Sequence, residues 1–290
     1  MKKKICLIVF YFLILKINAQ PYFMDTLNTL PLYLSPCMGN IFELPNNQGY
    51  AVSNFYNYKF QLIYTNSYGH RTGQRTWNLF DTLEYSHGIR SSVKLQNGSY
   101  IIAGQTSGPS HIQEGFHGNL IAINSNLTDT LWTKKYQYKY QNIGRSTAFF
   151  YVNTAPNGSI WVAGLTALNR QSNAVTFLMH LSSTGTVLSQ KHFNLTTGRN
   201  GPAYLSATSD GGCIVSILES GGNNDKQAIF IKLRADGSTQ WTNEYGMTGQ
   251  VPDDPLFIGK TQNPNEYWLF YNAGTVNAQN NYNGSLFLRQ

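Results

Sequence analysis

The chain has 290 residues and a formal net charge of +7, with few charged residues (12%) and many aromatic ones (14%). The first 19 residues carry four lysines and no acid, so the rest of the chain has a net charge of only +3. With no run of lysine and arginine elsewhere, this balance argues against nucleic acid binding. The profile is typical of an extracellular all-β protein, not of a cytoplasmic enzyme.

The N-terminus has the form of a secretory signal peptide. Three lysines precede an apolar run from Ile5 to Leu15, and a small residue, Ala19, ends the segment. The run is too short to span a bilayer comfortably. We predict cleavage after Ala19, a mature domain over residues 20–290 without a transmembrane segment, and a secreted or cell-surface location. An uncleaved membrane anchor is the alternative.

Two sequence markers recur with one period. A polar turn followed by a β-rich apolar run is marked by Gly49, Gly98, Gly158, Gly211 and Asn265, with spacings of 49, 60, 53 and 54 residues. A second marker falls on Trp77, Trp132, Ser189 and Trp241, with spacings of 55, 57 and 52. This agreement indicates repeat units of about 55 residues. Five units start near residues 41, 92, 150, 203 and 256.

Each unit has the pattern of four short strands. In the fourth unit the run from Ile229 to Leu233 alternates in strand fashion, and Asp236-Gly237 forms a turn dipeptide before Trp241. Runs that are apolar on both faces are typical of propeller blades packed between neighbours. We therefore predict an all-β fold, a β-propeller of about five four-stranded blades.

The repeated residues have structural roles in this interpretation. The turn glycines are expected to take positive φ in tight hairpins: Gly98, Gly158, Gly211 and Gly237. The tryptophans are expected to pack between blades: Trp77, Trp132 and Trp241. An exposed tryptophan that stacks on a ligand is the alternative.

The fifth unit stops at Gln290, before its tryptophan-type strand. Residues 21–30 (PYFMDTLNTL) resemble residues 77–86 (WNLFDTLEYS), so we predict that an N-terminal strand completes the last blade and closes the ring. Further blades beyond residue 290 and a β-sandwich are the alternatives.

Residues 209–246 match a known repeat pattern at ten positions: Asp210, Gly211, Gly212, Ile231, Lys232, Leu233, Gly237, Trp241, Tyr245 and Gly246. The stretch resembles the repeat of secreted surface proteins of Bacteroidetes-type bacteria, which reads D-G-G-Y-I-V-A-G, then I-K-L-D-x-x-G-x-x-x-W, then Y-G. The resemblance implies a β-propeller and export, and it implies little about activity. Members often carry a C-terminal sorting domain, which is not seen in this sequence.

A row of tyrosines is the candidate binding surface. Tyr136, Tyr138 and Tyr140 alternate with Gln137 and Lys139, so they fall on one face of a strand. Exposed aromatic rows bind sugar faces or partner proteins. Packing of these tyrosines between blades is the alternative.

Other chemistry has weaker support. Carboxylates for a glycan hydrolase are available at Asp81, Glu84, Asp253 and Asp254. The group His111, Glu114 and His117 does not have a recognised metal-binding spacing. Cys37 and Cys213 form one disulfide or stay as two isolated thiols.

The sequence thus favours a monomeric, non-catalytic binding module for a glycan or a surface protein. No catalytic residue, metal ligand or cofactor is predicted. An extracellular glycan hydrolase, with acids at the propeller mouth, and a stalk that presents a further domain are the alternatives.

Overall fold

The computed structural model describes residues 40–56, 59–78, 85–107, 115–167, 174–193, 199–220, 226–245, 254–261, 263, 266–276 and 282–289. Most of them lie in β-strands, which confirms the all-β prediction. The strands form five antiparallel sheets and one short two-stranded ribbon. No helical segment in these ranges has the length and hydropathy that crossing a bilayer requires.

Sheets 1 and 2 each contain four strands that pair in chain order. Sheet 1 consists of β1 (Ile41–Glu43), β2 (Tyr50–Tyr56), β3 (Lys59–Thr65) and β4 (Arg71–Trp77). Sheet 2 consists of β5 (Tyr85–Lys94), β6 (Tyr100–Ser107), β7 (Phe116–Ile123) and β8 (Thr130–Tyr136). A short ribbon follows, made of β9 (Tyr138–Tyr140) and β10 (Ile143–Arg145).

Sheets 3 and 4 repeat the four-stranded meander, and sheet 5 shows three strands within the described residues. Sheet 3 consists of β11 (Thr147–Thr154), β12 (Ile160–Ala167), β13 (Ala174–Leu181) and β14 (Val187–Phe193). Sheet 4 consists of β15 (Arg199–Ala207), β16 (Cys213–Ser220), β17 (Lys226–Leu233) and β18 (Thr239–Tyr245). Sheet 5 consists of β19 (Asp254–Lys260), β20 (Tyr267–Val276) and β21 (Tyr282–Arg289).

Positive φ angles close the recurring turns. The turn glycines that the sequence singles out have φ between +81° and +85°: Gly98, Gly158, Gly211 and Gly237. In sheet 2 the turn between the third and fourth strands contains no glycine, and Leu127 takes the left-handed conformation there, with φ 59°. Leu127 is fully buried, so its burial offsets the cost of this backbone conformation.

Strand register corrects one repeat marker. Trp132 lies opposite Ala122 and Trp241 lies opposite Lys232, each one residue before the last residue of the third strand. In sheet 1 the residue at this position is Gly73, opposite Tyr64. The turn before β4 closes on Gly69, with φ 86°, and Gly73, four residues before Trp77, lies within the strand.

Trp77 therefore lies four residues further along its strand than the other two marker tryptophans. It pairs with Phe60 at the far end of β4, and the two rings stack with centroids 5.5 Å apart. The sequence marker placed Trp77 four residues out of register because Gly73 precedes it by the same four residues that separate Gly237 from Trp241.

The core consists of apolar clusters shared by successive sheets. One cluster joins sheets 1 and 2, a second joins sheets 2 and 3, a third joins sheets 3 and 4, and a fourth joins sheets 4 and 5. Trp77, Trp132 and Trp241 are partly buried and pack against these clusters. Each fully buried Leu, Ile or Phe contributes about 1.5–3 kcal/mol, so the sheets hold together through both of their faces.

Single side-chain hydrogen bonds also join successive sheets. The Tyr64 hydroxyl donates to the carbonyl oxygen of Leu127 at 2.8 Å, from sheet 1 to sheet 2. The Trp161 indole N–H donates to the carbonyl oxygen of Gly211 at 3.0 Å, from sheet 3 to sheet 4. In both cases the acceptor belongs to a tight turn of the following sheet.

The first strands of sheets 2 to 5 lie against one another, and the fourth strands lie at the outside. In β4 and β18 nearly every residue is exposed. Within the described residues the sheets form an open series and not a closed ring. Residues 21–30, which the sequence predicts to close the ring, lie outside the described residues, and residues 77–86 span the end of β4 and the start of β5.

Candidate binding site

A β-bulge recurs at the same place in the first strand of four sheets. One extra residue interrupts the pairing in β5, β11, β15 and β19. The register passes from Ile89 to Ser91, from Phe149 to Tyr151, from Pro202 to Tyr204 and from Pro255 to Phe257. A bulge bends the strand and changes the direction of nearby side chains, and bulges are common next to binding sites.

The residue that follows the bulge is aromatic in three consecutive sheets. The rings of Tyr151 and Tyr204 have centroids 6.1 Å apart, and those of Tyr204 and Phe257 are 4.9 Å apart. Phe257 also meets Phe270 of its own sheet at 5.7 Å. We call Tyr151, Tyr204 and Phe257 the aromatic row. It crosses three sheets along the first strands.

The aromatic row is partly open to solvent. Phe257 is 43% exposed, which is unusual for a phenylalanine, and Tyr151 and Tyr204 are half-buried. Burial raises the pKa of the Tyr204 hydroxyl, so this group stays protonated and can donate a hydrogen bond. Flat apolar faces with polar hydroxyls suit a ligand with one apolar and one polar side, such as a sugar ring.

The row ends at sheet 2 because β5 carries Ser91 at the equivalent position. The Ser91 hydroxyl accepts a hydrogen bond from the backbone N–H of Val152 at 3.2 Å, which ties sheet 2 to sheet 3. Next to the row, the Asn153 amide donates to the carbonyl oxygen of Leu205 at 3.4 Å and ties sheet 3 to sheet 4. The strands that carry the row are thus cross-linked by polar contacts.

The three tyrosines singled out from the sequence do not form an exposed row. Tyr136 is 8% exposed and Tyr138 is 4% exposed, because both pack in the cluster between sheets 2 and 3. The Tyr136 hydroxyl donates to the carbonyl oxygen of Gly185 at 2.8 Å, and burial raises its pKa. Tyr140 alone among them is partly exposed. The prediction that the three tyrosines share an exposed ligand surface is therefore wrong. The alternative, packing between sheets, holds for Tyr136 and Tyr138.

The ribbon explains why Tyr138 is buried. Gln141 and Asn142 both have positive φ, 50° and 63°, which is the conformation of a tight hairpin turn. The hairpin lies against β14, where the Tyr138 hydroxyl is 2.8 Å from Nδ1 of His192. The Gln190 side chain donates to the carbonyl oxygen of Lys139 at 2.9 Å and accepts from its N–H at 3.3 Å.

Most of the other candidate residues lie outside the described residues: Asp81, Glu84, His111, Glu114 and Asp253. For Asp254 only the backbone is described, and His117 lies partly buried in β7. Among the described residues no group of three His, Cys, Asp or Glu side chains could hold a metal ion. Cys213 is buried in β16, and burial raises the pKa of its thiol, while Cys37 lies outside the described residues.

Sequence reasoning missed the aromatic row, although a signal was present. Tyr151 and Tyr204 each lie seven residues before the turn glycine of their unit, Gly158 and Gly211. Ser91 has the same offset from Gly98. Alignment of the units on the turn glycine, extended backwards by one strand, would have brought these residues together.

No protein-family model matches the chain, and no curated protein matches it. Several solved structures are distantly similar. The major allergen Mala s 1 of Malassezia sympodialis is 9% identical with a TM-score of 0.41, covering 80% of this chain and 85% of its own. A polysaccharide lyase, ulvan lyase bound to -[GlcA(1-4)Rha3S]-, is 9% identical with a TM-score of 0.47, covering 86% and 68%.

A calcium-binding protein, regucalcin from Agrobacterium tumefaciens, is 10% identical with a TM-score of 0.40, covering 84% of this chain and 72% of its own. These similarities assign neither an activity nor a ligand to this chain.

Proposed function

We propose that this chain is a secreted or cell-surface repeat protein that acts as a non-catalytic binding module for a glycan. The observation that carries the proposal is the aromatic row on the bulged first strands of sheets 3, 4 and 5. The leader-like N-terminus, the low charge and the repeat that resembles Bacteroidetes-type surface proteins support an extracellular role.

The aromatic row has the features that sugar recognition needs. Three rings follow one another across neighbouring sheets, with centroids 6.1 Å and 4.9 Å apart and planes tilted by 49° and 58°. The C–H face of a pyranose ring can stack on an exposed ring of the row. The Tyr204 hydroxyl stays protonated, so it can donate a hydrogen bond. The row lies on strands that packing and cross-strand bonds hold in place, so little conformational entropy is lost on binding.

We test the site with Phe257→Ala and with the double variant Tyr151→Ala/Phe257→Ala. The matched control is Leu188→Ala on β14, because Leu188 is 57% exposed and lies far from the row on an outer strand. The measurement is retardation in native gels that contain xylan, mannan or a uronate-rich polysaccharide. Loss of an aromatic contact costs about 1–2 kcal/mol, so we expect at least tenfold weaker binding for the double variant.

If none of the polysaccharides changes the mobility of the wild-type protein, the proposal of a glycan ligand is contradicted. Equal retardation of the double variant and the wild type would move the site away from the row. The control variant has to behave as the wild type for either result to count.

The closed propeller remains part of the proposal. Sheet 5 shows three strands where the preceding sheets have four, and residues 20–39 come directly before sheet 1 in the chain. A strand from this segment, within residues 21–30, would complete sheet 5 and bring the two ends of the series together. If this segment completes sheet 5, deletion of residues 21–30 from the mature chain should lower the melting temperature by several degrees, since the sheet would lose its fourth strand. An unchanged melting temperature would contradict closure by this segment.

A further inference from the structure

Two turns in sheets 1 to 4 are one residue longer than their equivalents. In sheets 2, 3 and 4 a backbone hydrogen bond between residues four apart closes the turn from the first to the second strand. In sheet 1 the equivalent bond runs from the N–H of Leu44 to the carbonyl oxygen of Gly49, five residues on. The turn from the third to the fourth strand is longer in sheet 2, where the N–H of Asn124 donates to the carbonyl oxygen of Asp129. In sheets 1, 3 and 4 that bond spans four residues.

A groove lies between these two long turns. Its volume is about 370 Å³, at the low end of the range for small-molecule sites. Residues 43–47 of the first long turn line it, and the second long turn contributes Ser125 and Asn126. The other lining residues belong to sheet 2: Lys94, Gly98 and Tyr100. The groove is thus a local departure from the repeat, built where both extra residues are inserted.

Tyr100 is a buried tyrosine of the groove whose hydroxyl has no partner. The residue is 7% exposed, because its ring packs edge-on against Phe42 with centroids 5.0 Å apart. The Lys94 ammonium lies 5.7 Å from the centroid of the same ring. In the part of the chain that the structure describes, no group forms a hydrogen bond with the Tyr100 hydroxyl. Buried tyrosine hydroxyls usually have a partner, which a ligand in the groove would supply.

Other polar side chains of the groove are also available to a ligand. Five of them form no hydrogen bond or ion pair with the described residues: Glu43, Asn46, Asn47, Lys94 and Asn126. Asn46 and Asn47 both have positive φ, 59° and 56°. This conformation is costly for residues other than glycine, and it is found most often at functional sites. The groove therefore presents three carboxamides, one carboxylate and one ammonium group.

We propose that this groove binds one neutral sugar unit of a glycan. Each sugar hydroxyl both donates and accepts hydrogen bonds, so one ring can use the carboxamides, both charged groups and the Tyr100 hydroxyl together. A uronic acid would bring its carboxylate towards Glu43, and an amino sugar would bring its ammonium towards Lys94. Repulsion between like charges disfavours both. The groove shares no residue with the aromatic row, and the proposal does not rest on glycan binding there.

The test uses the mature chain and small sugar probes. The neutral probes are methyl α-mannoside, methyl β-glucoside and methyl β-galactoside, and the charged probes are glucuronate and glucosamine. Ligand-observed NMR titration up to millimolar concentrations measures binding. We expect saturable binding of at least one neutral probe and weaker binding of both charged probes.

Tyr100→Phe removes the unpartnered hydroxyl at nearly constant volume. We expect severalfold weaker binding of the neutral probe and an unchanged or higher melting temperature, because no hydrogen bond within the protein is lost. The matched control is Tyr68→Phe. Tyr68 is 66% exposed in the turn before β4 and is not among the groove residues, so this variant should bind as the wild type does.

A second variant keeps the proposal testable if Tyr100→Phe does not fold. Replacement of residues 45–49 (PNNQG) by QNGS, the sequence of residues 96–99, gives the first turn of sheet 1 the length of its equivalents. This short-turn variant lacks the two asparagines with positive φ, so it should stay folded. It should lose binding of the neutral probe, since one side of the groove is removed.

Each outcome decides for or against the groove. Absence of saturable binding of every neutral probe, or unchanged binding by folded Tyr100→Phe and short-turn variants, overturns the proposal. Equal or tighter binding of a charged probe overturns the neutral class. Loss of binding in Phe257→Ala with full binding by the short-turn variant would place the sugar on the aromatic row and also overturn it. Binding that depends on Tyr100 and on the long turn supports the groove, whether or not the row binds a polysaccharide.

Discussion

The ammonium of Lys232 lies 2.8 Å from Oδ2 and 3.0 Å from Oδ1 of Asp210, and it also donates to the carbonyl oxygen of Leu233 at 2.8 Å. The two side chains differ in exposure, since that of Lys232 is 4% exposed and that of Asp210 is 47% exposed. Asp210 lies in the turn between β15 and β16, and Lys232 lies in β17 of the same sheet. The D-G-G and I-K-L parts of the repeat thus meet in one ion pair.

We expect Asp210→Asn to destabilise the protein by about 2–4 kcal/mol, because it leaves a buried ammonium without its counter-charge. Lys232→Met should cost less, since the Asp210 carboxylate can be hydrated. The double variant should recover most of the loss. Urea unfolding of all four proteins measures this cycle, and an Asp210→Asn variant as stable as the wild type would show that the pair contributes nothing.

The ion pair of Asp210 and Lys232 also predicts that the protein loses stability at acid pH. Burial tends to raise the pKa of Asp210, but hydrogen bonds from Lys232, Thr208 and Gly212 outweigh it and hold the pKa below its ordinary value of 3.8. The folded state therefore binds fewer protons than the unfolded state near that pH. The contribution of Asp210 to the free energy of unfolding is present above pH 3.8, and it is lost as the pH falls through the lower pKa of the folded state. The double variant should lack this part of the acid sensitivity.

His180 predicts a second pH dependence at a higher pH. It is 5% exposed, its Nε2 is 2.8 Å from the Ser159 hydroxyl, and burial lowers its pKa from 6.5. Because the folded state disfavours the charged imidazole, its contribution is full above pH 6.5 and falls as the pH drops towards the lower folded pKa. Unfolding free energies at several pH values should fall less steeply on acidification in His180→Gln than in the wild type. Equal slopes would place the titrating group elsewhere.

Gly185 is predicted to tolerate no side chain. Its φ is +77°, and a Cβ atom would lie 2.6 Å from the Tyr136 hydroxyl oxygen. Gly185→Ala should therefore cost about 1–3 kcal/mol from the backbone strain alone. Gly201→Ala in β15 is the control, since a Cβ atom there meets nothing within 4 Å, and its stability should match or exceed that of the wild type. Equal melting temperatures for the two variants would contradict the turn geometry.

Substitution of Tyr138 should destabilise the protein more than substitution of Tyr140, because Tyr138 lies in the core and Tyr140 is partly exposed. Tyr138→Ala removes a side chain that is 4% exposed and contacts Phe177 and His192, so a loss of about 3–5 kcal/mol is expected. Tyr140→Ala removes a partly exposed ring and should cost about 1 kcal/mol or less. Thermal unfolding of the two variants checks this, and similar losses would mean that Tyr140 is also part of the core.

Much of the fold could be predicted from the sequence because the repeat constrains each unit separately. The turn glycines, the strands that follow them and the four-stranded unit were all found from spacing. The register of β4 could not be predicted from the sequence. Gly69 and Gly73 are equally suitable as turn residues, and only the strand pairing distinguishes them. The turn between the third and fourth strands of the second unit could not be predicted, because Leu127, and not a glycine, has the positive φ there.

The candidate site was harder to predict than the fold. The tyrosine alternation at positions 136–140 was correct as a pattern, but alternation does not distinguish a face open to solvent from one covered by the next sheet. The row of Tyr151, Tyr204 and Phe257 depends on bulges, which have no fixed sequence signature here, since the residues before them are Phe149, Pro202 and Pro255.

The outer strands β4, β8, β14 and β18 each end their sheet, and an edge of this kind can pair with the edge of another molecule. Three of these strands carry lysine or arginine, at Arg71 and Arg75 in β4, at Lys134 and Lys135 in β8 and at Lys191 in β14. Like charges on facing edges repel, so two copies of the chain resist joining strand to strand. A protein that accumulates at high density on a surface would in this way stay dispersed and avoid forming fibrils.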